Sequence, residues 1–146
     1  MVKNHQNINP KDFNNNEHNI LGNVGIEFTE IGENYVKGKM PVDKRTHQPH
    51  GLLHGGASVT LAETLGSAGA NLCVDNSKYY CVGLAINSNH LRGVREGYVY
   101  GKATIVHLGR TTQIWQIDIT NEEGKLVNVS RLTMSVIEKE NKVFKS

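Results

Sequence analysis

Apolar and polar residues alternate in two segments within the first third of the chain. Val24, Ile26 and Phe28 are separated by other residues, and the same period of two returns over residues 35–42. Such a period is typical of strands that bury one face. The turn-forming residues 32–34 lie between the two segments, so the pattern predicts a β-hairpin whose first strand includes Val24.

A helical period follows over residues 55–72. Leu61, Leu65, Ala68 and Leu72 recur at spacings of three and four, and the segment holds no proline. The pattern predicts one helix of about 27 Å. Each glycine inside a helix costs about 1 kcal/mol relative to alanine, so we expect the glycines of this segment to allow close contact with a sheet.

Four further strand-like segments follow this helix, and short turns join the last three as in an antiparallel meander. They lie at about residues 79–90, 97–107, 111–120 and 125–138. The predicted fold class is α+β, with a curved six-stranded antiparallel sheet wrapped around one long central helix. Residues 21–138 form this domain, residues 1–20 a polar lead-in with a short helical turn after Pro10, and residues 139–146 a polar tail.

Composition narrows the range of functions. The 146 residues carry a formal charge of +2, which is too small to indicate a nucleic-acid partner. No apolar stretch approaches the roughly 18–20 residues that span a bilayer, and the chain begins without a hydrophobic signal core. The histidines and cysteines show no zinc spacing. We therefore expect a cytoplasmic protein without a metal, a nucleic-acid partner or a membrane partner.

The strongest candidate chemistry lies at the start of the predicted helix, where residues 48–56 read Gln-Pro-His-Gly-Leu-Leu-His-Gly-Gly. Free N–H groups at a helix start attract developing negative charge, and glycine lets another molecule approach them closely. A carbonyl oxygen held there would be polarised. The alternative, a glycine-rich helix entry with no chemical role, remains open at this point.

Glu63 is the second candidate. With Thr60, Ser67 and Asn71 it forms one polar stripe along the helix, opposite the leucines. The stripe is either a solvated face or the place of a catalytic acid. The small and apolar neighbours of Glu63 favour a base or a nucleophile.

The separation of these two candidates predicts an oligomer. Glu63 follows Gly55 by about 12 Å along a helix, whereas a reacting carbon must lie about 3 Å from both the nucleophile and the oxyanion donors. A two-fold dimer with antiparallel helices would face Gly55 of one copy with Glu63 of the other. The sequence thus predicts two equivalent sites at a subunit boundary.

Basic and polar residues after the helix form a third candidate. His90, Arg92 and Arg95 follow a predicted strand, and residues 107–112 form a turn. Both groups are suited to bind phosphates, through charge or through backbone N–H groups. Ordinary surface charge is the alternative.

The run from Gly51 to Ser58, followed by Leu61-Ala62-Glu63, resembles the hotdog-fold acyl-CoA thioesterases of the PaaI-like group. The pattern of residues 83–92, 107–110 and 115–117 strengthens the resemblance, which covers about residues 20–138. It implies a hotdog fold, hydrolysis of a thioester, and a dimer with shared sites that pairs into a tetramer. It also implies no cofactor, because coenzyme A is part of the substrate.

The resemblance implies a role for each matching residue. Glu63 attacks the thioester carbonyl or activates water, the Gly55 N–H polarises the thioester oxygen, and Ser67 orients the water. Gln48 and His54 position the substrate or assist the departing thiolate. The coenzyme A part is held by Gly83, His90, Leu91, Arg92, Gly93, His107, Leu108, Gly109, Arg110, Thr111 and Thr112.

The implied substrate is an aromatic acyl-CoA of the 1,4-dihydroxy-2-naphthoyl-CoA or hydroxybenzoyl-CoA type, the former a thioester of menaquinone biosynthesis. Two alternatives remain open. One is a broad proofreading thioesterase for acyl-CoA or acyl-carrier-protein thioesters. The other is a non-catalytic acyl-CoA-binding hotdog module, which would have no reason to keep Glu63 in this position.

Overall fold

The computed structural model describes residues 1–140, so most of the tail predicted at 139–146 lies outside the described residues. In chain order the elements are two 3-10 turns (His5–Asn7 and Pro10–Phe13), α1 (Ile20–Val24), β1 (Glu27–Ile31), β2 (Tyr35–Pro41), α2 (Gly55–Leu72), β3 (Tyr79–His90), β4 (Tyr98–Leu108), β5 (Thr112–Thr120) and β6 (Leu126–Glu138). The long helix, the six strands and the turn after Pro10 are confirmed.

All six strands belong to one antiparallel sheet in the order β1-β2-β4-β5-β6-β3. β1 and β2 form the predicted hairpin, and β4, β5 and β6 form the predicted meander. β3 crosses over to pair with β6, from Tyr79 opposite Glu138 to His90 opposite Asn128. β3 is therefore an edge strand of the sheet.

One side of α2 packs tightly against the sheet, because its glycines remove the side chains that would hold it away. A Cβ at Gly69 would lie 2.6 Å from the Trp115 ring, and one at Gly66 would lie 2.6 Å from Leu132. Trp115 and Leu132 are both fully buried. The expectation that the helix glycines allow close contact with a sheet is confirmed.

The prediction of a first strand that includes Val24 is wrong. Val24 ends α1, whose N-cap Asn19 accepts a hydrogen bond of 3.0 Å from the Leu21 N–H. Gly25, with a φ of 78°, ends the helix in the left-handed conformation that glycine adopts without steric cost. The caps at both ends outweigh the alternation of apolar residues.

The N-terminal segment packs against β1. The Phe13 and Phe28 ring centroids lie 5.7 Å apart. The Asn14 side chain accepts a hydrogen bond from the Phe28 N–H at 2.7 Å and donates one to the Phe28 carbonyl at 3.1 Å. These contacts hold the segment beside α2, where both line one cavity.

The two sides of α2 differ in their surroundings. The residues buried against the sheet are Ser58, Leu61, Ala62, Leu65, Gly66, Gly69 and Ala70. On the other side, Glu63 is exposed and Thr60, Ser67 and Asn71 are half-buried. No helix within residues 1–140 combines the length and the apolar character needed to cross a membrane.

Candidate active site

α2 begins with an unused backbone amide. His54 is the N-cap, and Nδ1 of its ring accepts a hydrogen bond of 2.7 Å from the Gly56 N–H. The N–H of Gly55, between them, donates to no acceptor within residues 1–140. The first turn holds no acidic residue that would offset the positive end of the helix dipole. The Gly55 N–H is thus available to a carbonyl oxygen.

The cap also fixes the tautomer of His54. Because Nδ1 accepts the hydrogen bond, the neutral ring carries its proton on Nε2. His54 is exposed, so this N–H is accessible to a ligand next to Gly55.

Gly55 lies in a cavity of about 440 Å³, which we call the amide-side cavity. Its lining includes several predicted site residues: Gln48, Gly55, His90, Leu91, Arg92 and Gly93. The His90 ring lies against Gly55, since a Cβ on Gly55 would be 2.9 Å from Nε2 of the ring. Glycine at this position lets the imidazole reach the start of α2.

Polar contacts hold the loop that precedes α2. The Gln48 side chain accepts a hydrogen bond from the His50 N–H. The buried Thr46 hydroxyl donates a hydrogen bond of 2.8 Å to a backbone carbonyl. Arg45 donates to both carboxylate oxygens of Asp43, and these hydrogen bonds lower the pKa of Asp43 to about 2. The loop therefore carries Gln48 to the edge of the amide-side cavity in a defined conformation.

Glu63 and Ser67 line a second cavity, of about 660 Å³, which we call the acid-side cavity. Its walls come from α2, from the N-terminal segment including α1, and from Phe28 of β1. The apolar part of its lining consists of Phe13, Ile20, Leu21, Phe28 and Ala68. The pattern of residues 1–20 gave no indication of this role, because it does not encode what the segment packs against.

Glu63 contacts the edge strand. A Cβ on Gly83 of β3 would lie 2.6 Å from Oε1 of Glu63. Two helical turns further along α2, Asn71 links the helix to the same strand by two hydrogen bonds. Its Oδ1 accepts from the Cys81 N–H at 2.8 Å, and its Nδ2 donates to the Cys81 carbonyl at 3.2 Å. Gly83, which we expected to contact coenzyme A, thus contacts the acid within one chain. Its role toward coenzyme A stays a prediction.

The turn at residues 107–112 lines neither of these two cavities. Thr112 at its end pairs with Ser135, whereas His90 pairs with Asn128. The two positions are therefore separated by about 23 Å along β6. One copy of the chain does not bring the two predicted coenzyme A segments together.

One copy does not unite the amide and the acid either. Gly55 lines the amide-side cavity and Glu63 the acid-side cavity, in agreement with the distance inferred from their spacing. The shared site between two copies stays a prediction.

The sequence pattern did not predict a polar cluster beneath His90, in which two of the three side chains are buried. It consists of Ser88, Asn128 and Ser130. The available signal was the pair of polar residues at alternate positions of β6, where an inward face normally carries apolar side chains. The part of the chain that the structure describes holds no group of three or more His, Cys, Asp or Glu residues suited to a metal ion.

The fold, one long helix on a six-stranded antiparallel sheet, is that of the hotdog proteins. The chain belongs to the thioesterase superfamily, whose sequence profile matches residues 50–128. That segment contains α2, Glu63 and nearly all of the lining of the amide-side cavity.

Individual relatives agree with this assignment. The chain is similar to thioesterase HI1161 of Haemophilus influenzae, with a TM-score of 0.89 and 46% identity over 98% of this chain and 99% of that one. The 1,4-dihydroxy-2-naphthoyl-CoA hydrolase of Escherichia coli (strain K12) is 49% identical over 121 residues, 83% of this chain and 88% of that protein. The proofreading thioesterase EntH of Cronobacter turicensis is 45% identical over 118 residues, 81% of this chain and 85% of that protein. The predicted fold and enzyme class are confirmed.

Proposed function

We propose that this thioesterase hydrolyses an aromatic acyl-CoA to the free acid and coenzyme A. The observation that carries the proposal is the division of polar groups along α2: a free Gly55 N–H in one cavity, and the Glu63 carboxylate in the other, whose walls are partly apolar. The amide suits the thioester oxygen, and the acid-side cavity suits the attacking group and the acyl chain.

Two routes use these groups. In the general-base route, Glu63 takes a proton from a water molecule whose oxygen attacks the thioester carbon, and the carbonyl π electrons move to an oxygen that the Gly55 N–H stabilises. The C–S bond then breaks, and the departing thiolate takes the proton from Glu63. In the nucleophilic route, the Glu63 carboxylate attacks and expels the thiolate, and water then cleaves the mixed anhydride.

The neighbouring polar groups have supporting roles. Ser67 follows Glu63 by one turn in the same cavity and orients the water in either route. At the start of α2, the His54 Nε2–H and the Gln48 amide position the substrate and stabilise the leaving thiolate. Coenzyme A is part of the substrate, so the reaction needs no cofactor.

The proposal requires two copies of the chain, and edge strand β3 offers a place for their contact. It exposes three large apolar side chains, Tyr80, Val82 and Leu84. Antiparallel pairing of β3 with the same strand of a second copy sets opposite ends of the two sheets side by side. Such pairing would bring residues 90–93 of one copy to the turn at 107–112 of the other, and Gly55 to Glu63. Further pairing into a tetramer stays a prediction.

The acid-side cavity supports an aromatic acyl group. The rings of Phe13 and Phe28 form part of its wall, and aromatic rings favour offset or edge-to-face contact with another ring. The similarity to 1,4-dihydroxy-2-naphthoyl-CoA hydrolase supports a dihydroxynaphthoyl group. A cytoplasmic role in menaquinone biosynthesis would follow from that substrate.

A broad proofreading thioesterase is the second candidate. The similarity to EntH supports it, and so does the polar part of the same cavity, which includes Asp12, Asn15 and Asn16. Thiol release should be measured over naphthoyl, hydroxybenzoyl, benzoyl and aliphatic thioesters of coenzyme A and of acyl-carrier protein. We expect the aromatic coenzyme A thioesters to have the highest kcat/KM. Equal values across the panel would favour proofreading.

Two inactive variants test the shared site. Glu63→Gln removes the base, with an expected loss of about 1,000-fold in kcat. Gly55→Pro removes the amide proton at a helix position that tolerates proline, with a loss of at least about 100-fold. Mixed after joint unfolding and refolding, the two should recover about a quarter of wild-type activity, because one of the two sites in each mixed dimer is intact.

Gly55→Ala is the control for the second variant, since it keeps the N–H and adds only the Cβ that meets His90. No recovery on mixing, with both variants folded and dimeric, would contradict the shared site. Oxygen-18 incorporation into Glu63 during a single turnover separates the nucleophilic route from the general-base route.

A further inference from the structure

A closed polar cluster lies beneath His90. Asn128 and Ser130 of β6 are 0% and 1% exposed. Asn128 Nδ2 lies 2.7 Å from Ser88 Oγ, Ser88 Oγ lies 2.8 Å from Ser130 Oγ, and Ser130 Oγ lies 2.7 Å from Asn128 Oδ1. The three side chains therefore form a ring of hydrogen bonds between β3 and β6.

With the Asn128 amide in this orientation, the number of protons fixes the direction of each bond in the ring. Ser130 has one hydroxyl proton, which it donates to Asn128 Oδ1. The contact between the two serines then uses the proton of Ser88, whose oxygen accepts from the Asn128 amide. Asn128 Nδ2 also lies 3.1 Å from His90 Nδ1, which leaves the second N–H of that amide for the imidazole. Every polar group of the cluster has a partner, as buried groups require.

We propose that Asn128 is a positioning residue that holds His90 in the tautomer with its proton on Nε2. A neutral imidazole that accepts at Nδ1 carries its proton at Nε2. That nitrogen lies 2.9 Å from the place of a Cβ on Gly55, and both His90 and Gly55 line the amide-side cavity. This inference rests on the proposed function: the Nε2–H of His90 donates to an acceptor oxygen in the coenzyme A part of the substrate.

The opposite orientation of the Asn128 amide makes the opposite prediction. It would aim Oδ1 at His90 and require a proton on Nδ1, which leaves Nε2 as an acceptor facing an acceptor oxygen. The two orientations thus differ in an observable quantity, the nitrogen of His90 that carries the proton.

Long-range proton–nitrogen NMR spectra of the folded wild-type protein measure this quantity. The His90 signals are assigned with the His90→Gln variant, and the spectra are recorded at alkaline pH. We expect Nε2 to carry the proton. A proton on Nδ1 in the wild-type protein would overturn the inference without any use of a variant.

Asn128→Asp replaces the donor with an acceptor of the same shape, so His90 must carry a proton on Nδ1 to keep the bond. Asn89→Asp is the matched control, because it adds the same carboxylate to β3 at an exposed residue whose side chain bonds to Asn87 and not to His90. We expect the first variant to move the proton and the second to leave it on Nε2. An unchanged tautomer in folded Asn128→Asp would contradict the role of Asn128.

Steady-state kinetics test whether the His90 Nε2–H binds the substrate. In Asn128→Asp, KM for the acyl-CoA should rise about tenfold, the upper range for one hydrogen bond, and this rise should exceed any fall in kcat. An unchanged KM would contradict the assignment of Nε2–H to the substrate. Absence of thioesterase activity in the wild-type protein would count against the proposed function alone, because the tautomer is measured independently.

Discussion

The Glu63 carboxylate lies so close to Gly83 that no methyl group fits between them: a Cβ on Gly83 would be 2.6 Å from Oε1. The carboxylate is the end of a flexible side chain, whereas Gly83 belongs to the edge strand. An added methyl group would therefore displace the acid and leave the backbone in place.

Gly83→Ala should lower kcat by about 100-fold, the effect of misplacing a catalytic group by about 1 Å. The free energy of unfolding should change by less than about 1 kcal/mol, because only a side-chain end has to move. Steady-state thiol release and urea unfolding measure the two effects.

The double variant Gly83→Ala with Glu63→Gln separates an effect on the acid from any other effect. If alanine acts only by displacing Glu63, the double variant will be no slower than Glu63→Gln alone. An additional large loss of kcat would show that Gly83 has another role, such as contact with the coenzyme A arm.

His54 caps α2 and, in the proposed mechanism, also donates its Nε2–H to the substrate; two substitutions separate the cap from the proposed chemical role. His54→Ala removes the cap of α2 and should lower the free energy of unfolding by about 1 kcal/mol. His54→Asn retains a capping side chain but removes the Nε2–H group, so it should restore most of the stability and leave kcat low. Urea unfolding and thiol release check both; equal kcat in His54→Asn and wild type would contradict a chemical role.

Asn71 satisfies both backbone groups of Cys81 and thereby holds α2 to β3. Asn71→Leu leaves these two polar groups without their partner, and it should lower the free energy of unfolding by about 2 kcal/mol. Asn89→Ala, an exposed change on the same strand, serves as the control and should stay within about 0.5 kcal/mol of wild type. Equal free energies of unfolding for the two variants would contradict the role of Asn71 in holding α2 to β3.

The ionisation of Asp43 makes part of the free energy of unfolding depend on pH in the acid range. Its pKa is lowered from 3.8 to about 2, chiefly by the side-chain hydrogen bond from Arg45. The folded protein thus binds the proton less readily than the unfolded chain, so the contribution is complete above pH 3.8 and is lost as the pH falls through about 2. The pair is partly exposed, which limits the contribution to about 1 kcal/mol or less.

Asp43→Asn and Arg45→Gln should both be less stable than wild type at pH 5 and should approach it at pH 2, as measured by urea unfolding. A difference from wild type that is independent of pH over this range would contradict the assigned cause.

The periodic elements were predictable because each has a period and ends that neighbouring residues encode. The start of α2 is an example, since His54 caps the helix locally and Gly55 and Gly56 follow directly. α1 was not predicted: only five residues long, it is too short to show a period, and its caps at Asn19 and Gly25 are the only local signal.

The candidate site likewise contains features that a local sequence pattern encodes and features that it does not. The contact of Gly55 with His90 depends on the crossover of β3 to β6, and the wall of the acid-side cavity depends on where Phe13 docks. Neither relation is contained in a local pattern, because both join residues that are distant in the chain. The role of Asn128 could not be inferred for the same reason: its partners Ser88 and His90 lie on another strand.

Trp115, the single tryptophan of the chain, lies between the sheet and α2. Its Nε1 donates to Gln113 Oε1 at 2.9 Å, and Gln113 Nε2 lies 3.4 Å from the carbonyl of Ala70 in the last turns of α2. The indole is thus fully enclosed by the contact that holds the helix. Its fluorescence reports whether the helix is packed on the sheet, so the protein contains its own optical probe of folding.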